Sequence, residues 1–224
     1  NPISIEMSVM RNSLWPGLLN NLSHNIKRQN KNIKIFEIGK LFASKNKKPI
    51  EKNVIAGLIY GQRRLESWAY QKNSLDFYDL KGHLEDLFNS FELKNITFVS
   101  TSHPMLCPGV AAEIKLKNKK IGIIGMLNPE LSADMKLDHD AFIFEIDYSS
   151  LELPDLRSFV SSEYYPSSRR DLSFMISNEV IVEEILTEIK RLKIKELKDT
   201  IVFDLFDKRD GETTQKSISI GLIF

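Results

Sequence analysis

One aromatic side chain near the carboxyl end, Phe206, and several small polar residues, among them Ser217, are of types and at a spacing that could contact a nucleic acid. They belong to segments in which apolar and polar residues alternate, a pattern that predicts strands with two different faces. A flat base needs room, a hydroxyl group and an aromatic ring to stack on, and one face of such a sheet would offer all three. An ordinary solvated sheet face with one stray aromatic also fits, and the residues alone favour this second interpretation.

The elements that would hold these side chains are three strands and one helix, in the order strand, helix, strand, strand. Alternation predicts strands at residues 171–177, 200–206 and 217–224, and apolar residues at helical spacing predict a helix at 182–192. Residues 207–216 predict a long hairpin turn. This order is three-quarters of a ferredoxin-like unit. Strict alternation places on the outer face Asp171, Ser173, Met175, Val202, Asp204, Phe206, Ser217, Ser219, Gly221 and Ile223, with Ile201, Phe203 and Leu205 on the opposite face.

The other chemistry-bearing residues do not support a catalytic or metal site. The four histidines lack metal-ligand spacing. The single cysteine, Cys107, has no nearby histidine or basic pair and is interpreted as a half-buried thiol. Asp138 and Asp140 flank His139, which a solvated turn explains better than a cation site. The basic run at residues 45–48 is interpreted as a solvated loop, with an RNA phosphate contact as the lesser alternative. We therefore predict no catalytic residue and no metal ligand.

Residues 1–153 predict an α+β domain built on an antiparallel sheet with helices. Leu18, Leu22 and Ile26 recur at helical spacing after Pro16-Gly17, which we interpret as a break in the chain. The remaining pattern predicts strands at 33–42, 54–60, 111–116, 121–127 and 142–146, a helix at 76–91 with Asp76 as its N-cap, and a short helix from Pro129. Residues 154–163 lack a clear period and are predicted to link this domain to a second one at 164–224.

Composition limits the possible classes of protein without selecting one. The chain has 224 residues and a net charge of +1, so its charge does not announce a nucleic-acid partner. With 42% hydrophobic and 27% charged residues it can bury a core. No apolar run approaches the ~18 residues of a membrane span. One cysteine excludes an intrachain disulfide and suits a reducing compartment. The start at Asn1-Pro2, without an initiator Met or a leader, indicates an excised fragment.

Five short motifs, taken in order, resemble the β subunit of bacterial phenylalanyl-tRNA synthetase. The first joins MR-x-SL-x-PGLL at residues 10–19 to FEIG-x-x-F at 36–42, with Asn25 at the end of the helix between them. The others are DFYDLKG at 76–82, HP at 103–104, GMLNPE at 125–130, and YYPSSRRDLSF followed by VFDLF and KSISIGLIF at the carboxyl end. The resemblance covers nearly the whole chain.

The resemblance implies a fold and a set of contact residues. Residues 1–153 would copy a class II synthetase catalytic sheet without its chemistry, and 164–224 would be a truncated ferredoxin-like (β-α-β-β) anticodon-binding domain without its last helix and strand. The first anticodon base would meet Phe206, where the family often has Tyr, and Ser217. Arg169 and Arg170 would contact phosphate, or Arg170 would pair with Asp204 inside the domain.

The same resemblance implies that catalysis belongs to a partner chain. Ala43 stands where the catalytic α subunit has an arginine for phosphate, and residues 56–59 are apolar where that subunit has Gln-x-Glu-Gly. The expected function is a non-catalytic scaffold and tRNA anticodon-binding part of a cytoplasmic phenylalanine–tRNA ligase. The expected assembly has two α and two β subunits (α2β2), and the complete enzyme uses ATP and magnesium, with no cofactor in this fragment.

Two other functions are weighed against this one. A free-standing RNA-binding or regulatory protein is opposed by the missing initiator Met and by the truncated ferredoxin-like unit. An autonomous ligase is opposed by Ala43 and by the apolar residues 56–59.

Overall fold

The computed structural model describes residues 8–45, 48–64, 67–69, 71–151, 166–210 and 213–224. The chain divides into two compact units, Asn1–Arg157 and Ser158–Phe224, which are described separately. The predicted linker at residues 154–163 lies outside the described residues.

The first unit is a six-stranded antiparallel sheet with helices, which confirms the predicted α+β class. The strand order is β1-β2-β6-β5-β4-β3, and each neighbouring pair is antiparallel. The strands are β1 (Ile33–Lys45), β2 (Lys48–Tyr60), β3 (Ile96–Ser100), β4 (Leu106–Leu116), β5 (Lys119–Leu127) and β6 (Ala141–Asp147). The helices are α1 (Trp15–Lys27), α2 (Phe77–Ser90) and the short α3 (Pro129–Asp134).

The two longer helices bury their apolar stripes against opposite faces of this sheet. Leu18 and Leu22 of α1 belong to one buried cluster, which includes Leu58 of β2. The stripe of α2 belongs to a second cluster, which includes Ile59 of the same strand. Because consecutive residues of a strand point to opposite faces, Leu58 and Ile59 assign the two clusters to the two sides of the sheet.

The helix α2 begins at the predicted N-cap. The Asp76 carboxylate accepts a hydrogen bond from the backbone N–H of Asp79, 2.9 Å away, and Asp79 accepts one from the N–H of Asp76 at 2.8 Å. Arg63 donates to both carboxylates. Burial tends to raise the pKa of Asp79, but the hydrogen bonds from Arg63 and from the Asp76 backbone outweigh it and lower that pKa.

The first unit differs from the sequence analysis in three places. Pro16 does not break the chain, because it lies in the first turn of α1, where its missing N–H would have no helical partner. The strand β3 was not predicted, because only five residues form it, and so short a segment gives little sequence signal. The turn between β4 and β5 holds only Lys117 and Asn118, both with positive φ, so the strands pair closer to the hairpin tip than expected.

The second unit has the predicted order of elements. It contains β7 (Arg169–Ser177), α4 (Val182–Arg191), β8 (Asp199–Asp210) and β9 (Thr213–Ile223), with strand order β7-β9-β8. The predicted long turn at 207–216 is wrong, because the ladder between β8 and β9 continues to Asp210 opposite Thr213. Leu192, predicted to belong to the helical stripe, lies past the end of α4 and is 69% exposed.

A β-bulge in β8 changes the face assignment made from strict alternation. Val202 lies opposite Ile220, and Asp204 lies opposite Ser219, the preceding residue of β9, so Phe203 is an extra residue in the ladder. Residues directly opposite each other share a face. Val202 therefore shares the inner face with buried Ile220, and Ile201, opposite Gly221, lies on the outer face. The predicted faces of Ile201 and Val202 are thus wrong.

Candidate nucleic-acid interface

Phe206 and Ser217 lie directly opposite each other in the ladder between β8 and β9. They share the outer face of the three-stranded sheet, and the Phe206 side chain is 61% exposed. Met175 of β7 lies on the other side of Ser217 in the same row. The row thus offers an aromatic ring, a hydroxyl and a flexible apolar side chain together, which is the composition a base requires.

The next row along the sheet is already hydrogen-bonded within the protein. The hydroxyl oxygens of Ser173 and Ser219 are 2.7 Å apart, and Ser219 is only 6% exposed. Asp204 lies opposite Ser219 and is exposed. Because the Ser219 hydroxyl bonds to Ser173, Ser217 is the serine of β9 with a hydroxyl available to a ligand.

The side chain of Arg169 crosses the outer face. Its Nε donates to an Asp171 carboxylate oxygen 2.6 Å away, and its guanidinium carbon lies 4.7 Å from the centre of the Phe203 ring. This contact places the bulged Phe203 ring on the outer face, where strict alternation did not place it. The face therefore carries two aromatic rings, Phe203 and Phe206, where the sequence predicted one.

Arg170 lies on the other face of the sheet. It is opposite Leu222 of β9, while Asp204 is in register with Ser219 on the outer face. Arg170 therefore does not share a face with Phe206 and Ser217. The alternative pairing of Arg170 with Asp204 is not formed, because the sheet separates the two side chains.

The motifs of the first unit make contacts with one another. Arg11 donates from Nη1 to the Glu37 carboxylate at 2.5 Å and from Nε to the Lys40 carbonyl at 3.0 Å. Asn25, at the end of α1, accepts a side-chain hydrogen bond from Asn30 at 2.9 Å and so closes the loop that leads to β1. These contacts give the first motif a structural role.

The two shorter motifs also meet in space. Asn128 caps α3 by accepting from the N–H of Glu130, and its side chain donates to the Pro104 carbonyl at 3.3 Å. The ring of His103 packs edge-on against Trp15, with 5.3 Å between the ring centres. His103 therefore belongs to the packing of α1.

Ala43, where the resemblance places the lost phosphate-binding arginine, lines an open depression of about 370 Å³. Four charged side chains line it, namely Lys52, Lys120, Glu145 and Asp147, and the last three have protein partners. Glu145 accepts from the Ser13 hydroxyl and the Leu14 N–H, both at 2.9 Å, and Lys120 donates to Glu113 at 2.7 Å. Asp147 accepts from the Ser149 N–H at 3.1 Å. Ala43 itself adds no charge to this depression.

The sequence predicted no metal ligand and a half-buried cysteine. In that part of the chain no group of three or more histidine, cysteine or acidic side chains is arranged to hold a metal ion. Cys107 is half-buried, as predicted, with its sulfur 3.6 Å from the Pro108 carbonyl. Among the described helices, none has the length and apolar character needed to cross a membrane.

Comparison with known proteins places both units in described families. Residues 163–224 match the ferredoxin-fold anticodon binding domain. Residues 1–148 match the phenylalanyl tRNA synthetase beta chain CLM domain. Because this second match covers more than half of the chain, the chain belongs to the family of phenylalanyl-tRNA synthetase β chains.

Curated relatives carry the corresponding name. The phenylalanine–tRNA ligase beta subunit of Legionella pneumophila (strain Paris) is 38% identical over 224 residues, which is 99% of this chain and 28% of the relative. The subunit of the same name from Pseudomonas fluorescens (strain Pf0-1) is 34% identical over 223 residues, with the same two coverages. The chain thus spans about a quarter of the length of these relatives.

One solved structure was also compared. A pyrrolysyl tRNA synthetase of Desulfitobacterium hafniense superimposes with a TM-score of 0.44 and 15% identity, covering 61% of this chain and 46% of the other. This level of similarity carries no argument about fold or function.

Proposed function

We propose that this chain is the non-catalytic scaffold and tRNA anticodon-binding part of the β subunit of a phenylalanine–tRNA ligase. In this role it supports the ATP-dependent attachment of phenylalanine to its tRNA by the α subunit. The single observation that carries the proposal is the pair formed by exposed Phe206 and half-buried Ser217 on one sheet face, inside the region that matches an anticodon binding domain.

The physical basis of RNA binding is stacking together with one directional contact. Every base has a flat π-face, so an exposed phenyl ring such as Phe206 supplies binding energy of about 1–3 kcal/mol per stacked base. The Ser217 hydroxyl both donates and accepts a hydrogen bond, so it can read one edge of that base. Phe206 lacks the hydroxyl of the Tyr that the family often has, so Ser217 supplies the hydroxyl group in this row.

The first unit is proposed to be a class II synthetase-like sheet that has lost its chemistry. An active site for phosphoryl chemistry needs positive groups aimed at developing negative charge. Ala43 supplies none at the position of the arginine, and of the two lysines that line the depression, Lys52 and Lys120, Lys120 is engaged with Glu113. Glu145 accepts hydrogen bonds from Ser13 and Leu14, so this carboxylate holds the amino-terminal motif in place.

The remaining parts of the proposal concern the complete enzyme. Its expected partners are the α subunit, a second β subunit and phenylalanine tRNA. ATP and magnesium would act on the α subunit, and the expected compartment is the cytoplasm. None of these assignments uses a cofactor site in this chain.

The proposal is tested by titrating the phenylalanine tRNA anticodon stem-loop against the parent chain and Phe206→Ala at one fixed salt concentration, because phosphate contacts make the affinity depend on salt. Phe206→Ala is expected to weaken binding by about 1–3 kcal/mol. Leu205→Ala is the matched control, since Leu205 is similarly exposed but lies opposite Ile218 on the other face. Equal affinities for the parent chain and Phe206→Ala would overturn the proposed RNA site.

A further inference from the structure

The outer face of the second unit contains a bridge from one edge strand to the other. Arg169 starts on β7, crosses the central strand β9 and reaches Phe203 on β8. Its Nε donates to the Asp171 carboxylate 2.6 Å away, so the guanidinium is held at one end by Asp171 while its carbon lies over the Phe203 ring. The Arg169 side chain is 47% exposed, which leaves part of this plane open to solvent.

Two local features of the backbone make this bridge possible. The bulge in β8 brings the Phe203 ring to the face on which Arg169 lies. Gly221 supplies the space in β9, because a Cβ atom there would approach the Arg169 Nε to 2.8 Å. A side chain at position 221 would thus separate the guanidinium from the ring.

We propose that the Arg169 guanidinium, backed by Phe203, is a second stacking platform that takes an RNA base other than the one on Phe206. An arginine plane stacks bases as aromatic rings do, and the positive charge adds attraction to the RNA. The inference rests on the proposed function, since it assumes that RNA binds this face. It extends that function from one base contact to two.

The spacing assigns the two platforms to different bases. Gly221, beneath Arg169, lies four positions along β9 from Ser217, which is opposite Phe206. At about 3.3 Å per residue, this corresponds to roughly 13 Å along the strand. One base cannot span that distance, so each platform would receive its own base of a single-stranded loop.

A fixed plane distinguishes stacking from a simple phosphate contact. A phosphate contact needs only a positive charge, which lysine provides equally well, whereas stacking needs the planar guanidinium. Among the described residues, Arg169 contacts Asp171 through Nε, has its guanidinium carbon 4.7 Å from the centre of the Phe203 ring, and lies above Gly221. The part of the guanidinium that stays exposed is therefore the surface offered to a base.

The test uses the full chain, the phenylalanine tRNA anticodon stem-loop and a set of the same stem-loops in which one loop nucleotide at a time is abasic. Arg169→Ala and Arg169→Lys are both expected to weaken binding about tenfold. Gly221→Ala, which keeps Arg169 but displaces it, is expected to act in the same direction. Arg170→Ala removes the same charge from the other face and is expected to leave the affinity unchanged.

The abasic stem-loops identify the partner base. One abasic stem-loop should bind the parent chain and Arg169→Lys with equal affinity. A different abasic stem-loop should bind the parent chain and Phe206→Ala with equal affinity. If Arg169→Lys binds like the parent chain, or no abasic position cancels its effect, the second platform is overturned while the Phe206 site stands. If the parent chain does not bind the stem-loop, the proposed function is overturned and this inference with it. Circular dichroism melting of each variant verifies that the sheet is folded.

Discussion

Arg11 lies over Gly39, and its guanidinium group fills the space that a side chain at position 39 would need. Both residues belong to the first motif of the sequence, Arg11 in its part before α1 and Gly39 in its part within β1. Arg11 also pairs with Glu37 of the same strand. The glycine of this motif therefore makes room for the arginine, and the two residues should depend on each other energetically.

A double-mutant cycle measures this dependence. Gly39→Ala should displace Arg11 from Glu37 and from the Lys40 carbonyl, with a loss of about 1 kcal/mol in the free energy of unfolding. In the Arg11→Ala background the same change should cost much less, because the space is then empty and Gly is unfavourable within a strand. Urea unfolding of the four proteins gives the coupling energy, expected at about 0.5 kcal/mol or more. Additive effects would contradict the steric relationship.

The buried stripe of α1 gives a second prediction. Leu22 is 0% exposed, so Leu22→Asp places an unpaired charge in the core and should cost several kcal/mol of unfolding free energy. Asn21→Asp introduces the same carboxylate at the neighbouring exposed position of the helix and is the control. Thermal unfolding of both variants and the parent chain measures the difference in melting temperature. A melting temperature for Leu22→Asp equal to that of the parent chain would show that the helix is not packed as described.

The lowered pKa of Asp79 predicts how stability changes with pH. Because the pKa in the folded state lies below the ordinary value of 3.8, the ionised carboxylate stabilises the fold above that value. This stabilisation is lost as the pH falls through the folded-state pKa. The stability difference between the parent chain and Asp79→Asn should therefore shrink as the pH is lowered from about 5 towards 2. Urea titrations along this pH range measure it.

A control on the same helix tests whether the effect is specific to the Asp79 carboxylate. Asp86→Asn makes the same chemical change at an exposed position and should alter the unfolding free energy by about 0.5 kcal/mol or less at each pH. A difference for Asp79→Asn that stays constant with pH would mean that the contacts with Arg63 and Asp76 do not hold its carboxylate in the ionised form.

The hydroxyl of Ser217 should contribute less to RNA binding than the ring of Phe206. Ser217→Ala removes one neutral hydrogen bond, for which a loss of about 0.5–1.5 kcal/mol is expected. Ser219→Ala is the matched control, because its hydroxyl bonds to Ser173 inside the protein. Fluorescence anisotropy with the anticodon stem-loop compares the two variants. A larger loss for Ser219→Ala would shift the contact to the buried serine and would contradict the arrangement described.

The chain should not activate phenylalanine by itself. Position 43 offers no positive charge to a phosphate, and the apolar residues 56–59 offer no carboxylate to an amino acid. Phenylalanine-dependent exchange of pyrophosphate into ATP is therefore expected to equal that of a heat-inactivated control. Exchange clearly above this control, in protein free of α subunit, would show that the first unit retains catalytic chemistry.

Local patterns in the sequence predicted the helices and most strands. The spacing of Leu18 and Leu22 identified α1, and Asp76 identified the start of α2 through its capping chemistry. Pro16 was wrongly interpreted as a chain break, because proline is common both after the end of a helix and in the first turn of one. For β3, five residues gave too little signal to separate a strand from a loop.

Contacts between distant segments were not predictable from spacing. The Arg11–Glu37 pair and the Asn128–Pro104 hydrogen bond join residues more than twenty positions apart, and no local period reports them. At the candidate site, Phe206 and Ser217 were identified through the family resemblance, and the structure places them opposite each other. The face of Phe203 was predicted wrongly because the alternating sequence pattern does not reveal a β-bulge.

The bulge at Phe203 also bears on how this strand can vary between relatives. Removing the codon for Phe203 would leave Val202 opposite Ile220 and Asp204 opposite Ser219, in a regular ladder with every other face unchanged. Loss or gain of one residue within a regular stretch of β8 would instead reverse the faces of all residues beyond it. Position 203 is therefore a site where a single-codon deletion is structurally neutral for the sheet, and evolution can add or discard this one ring without rebuilding the strand.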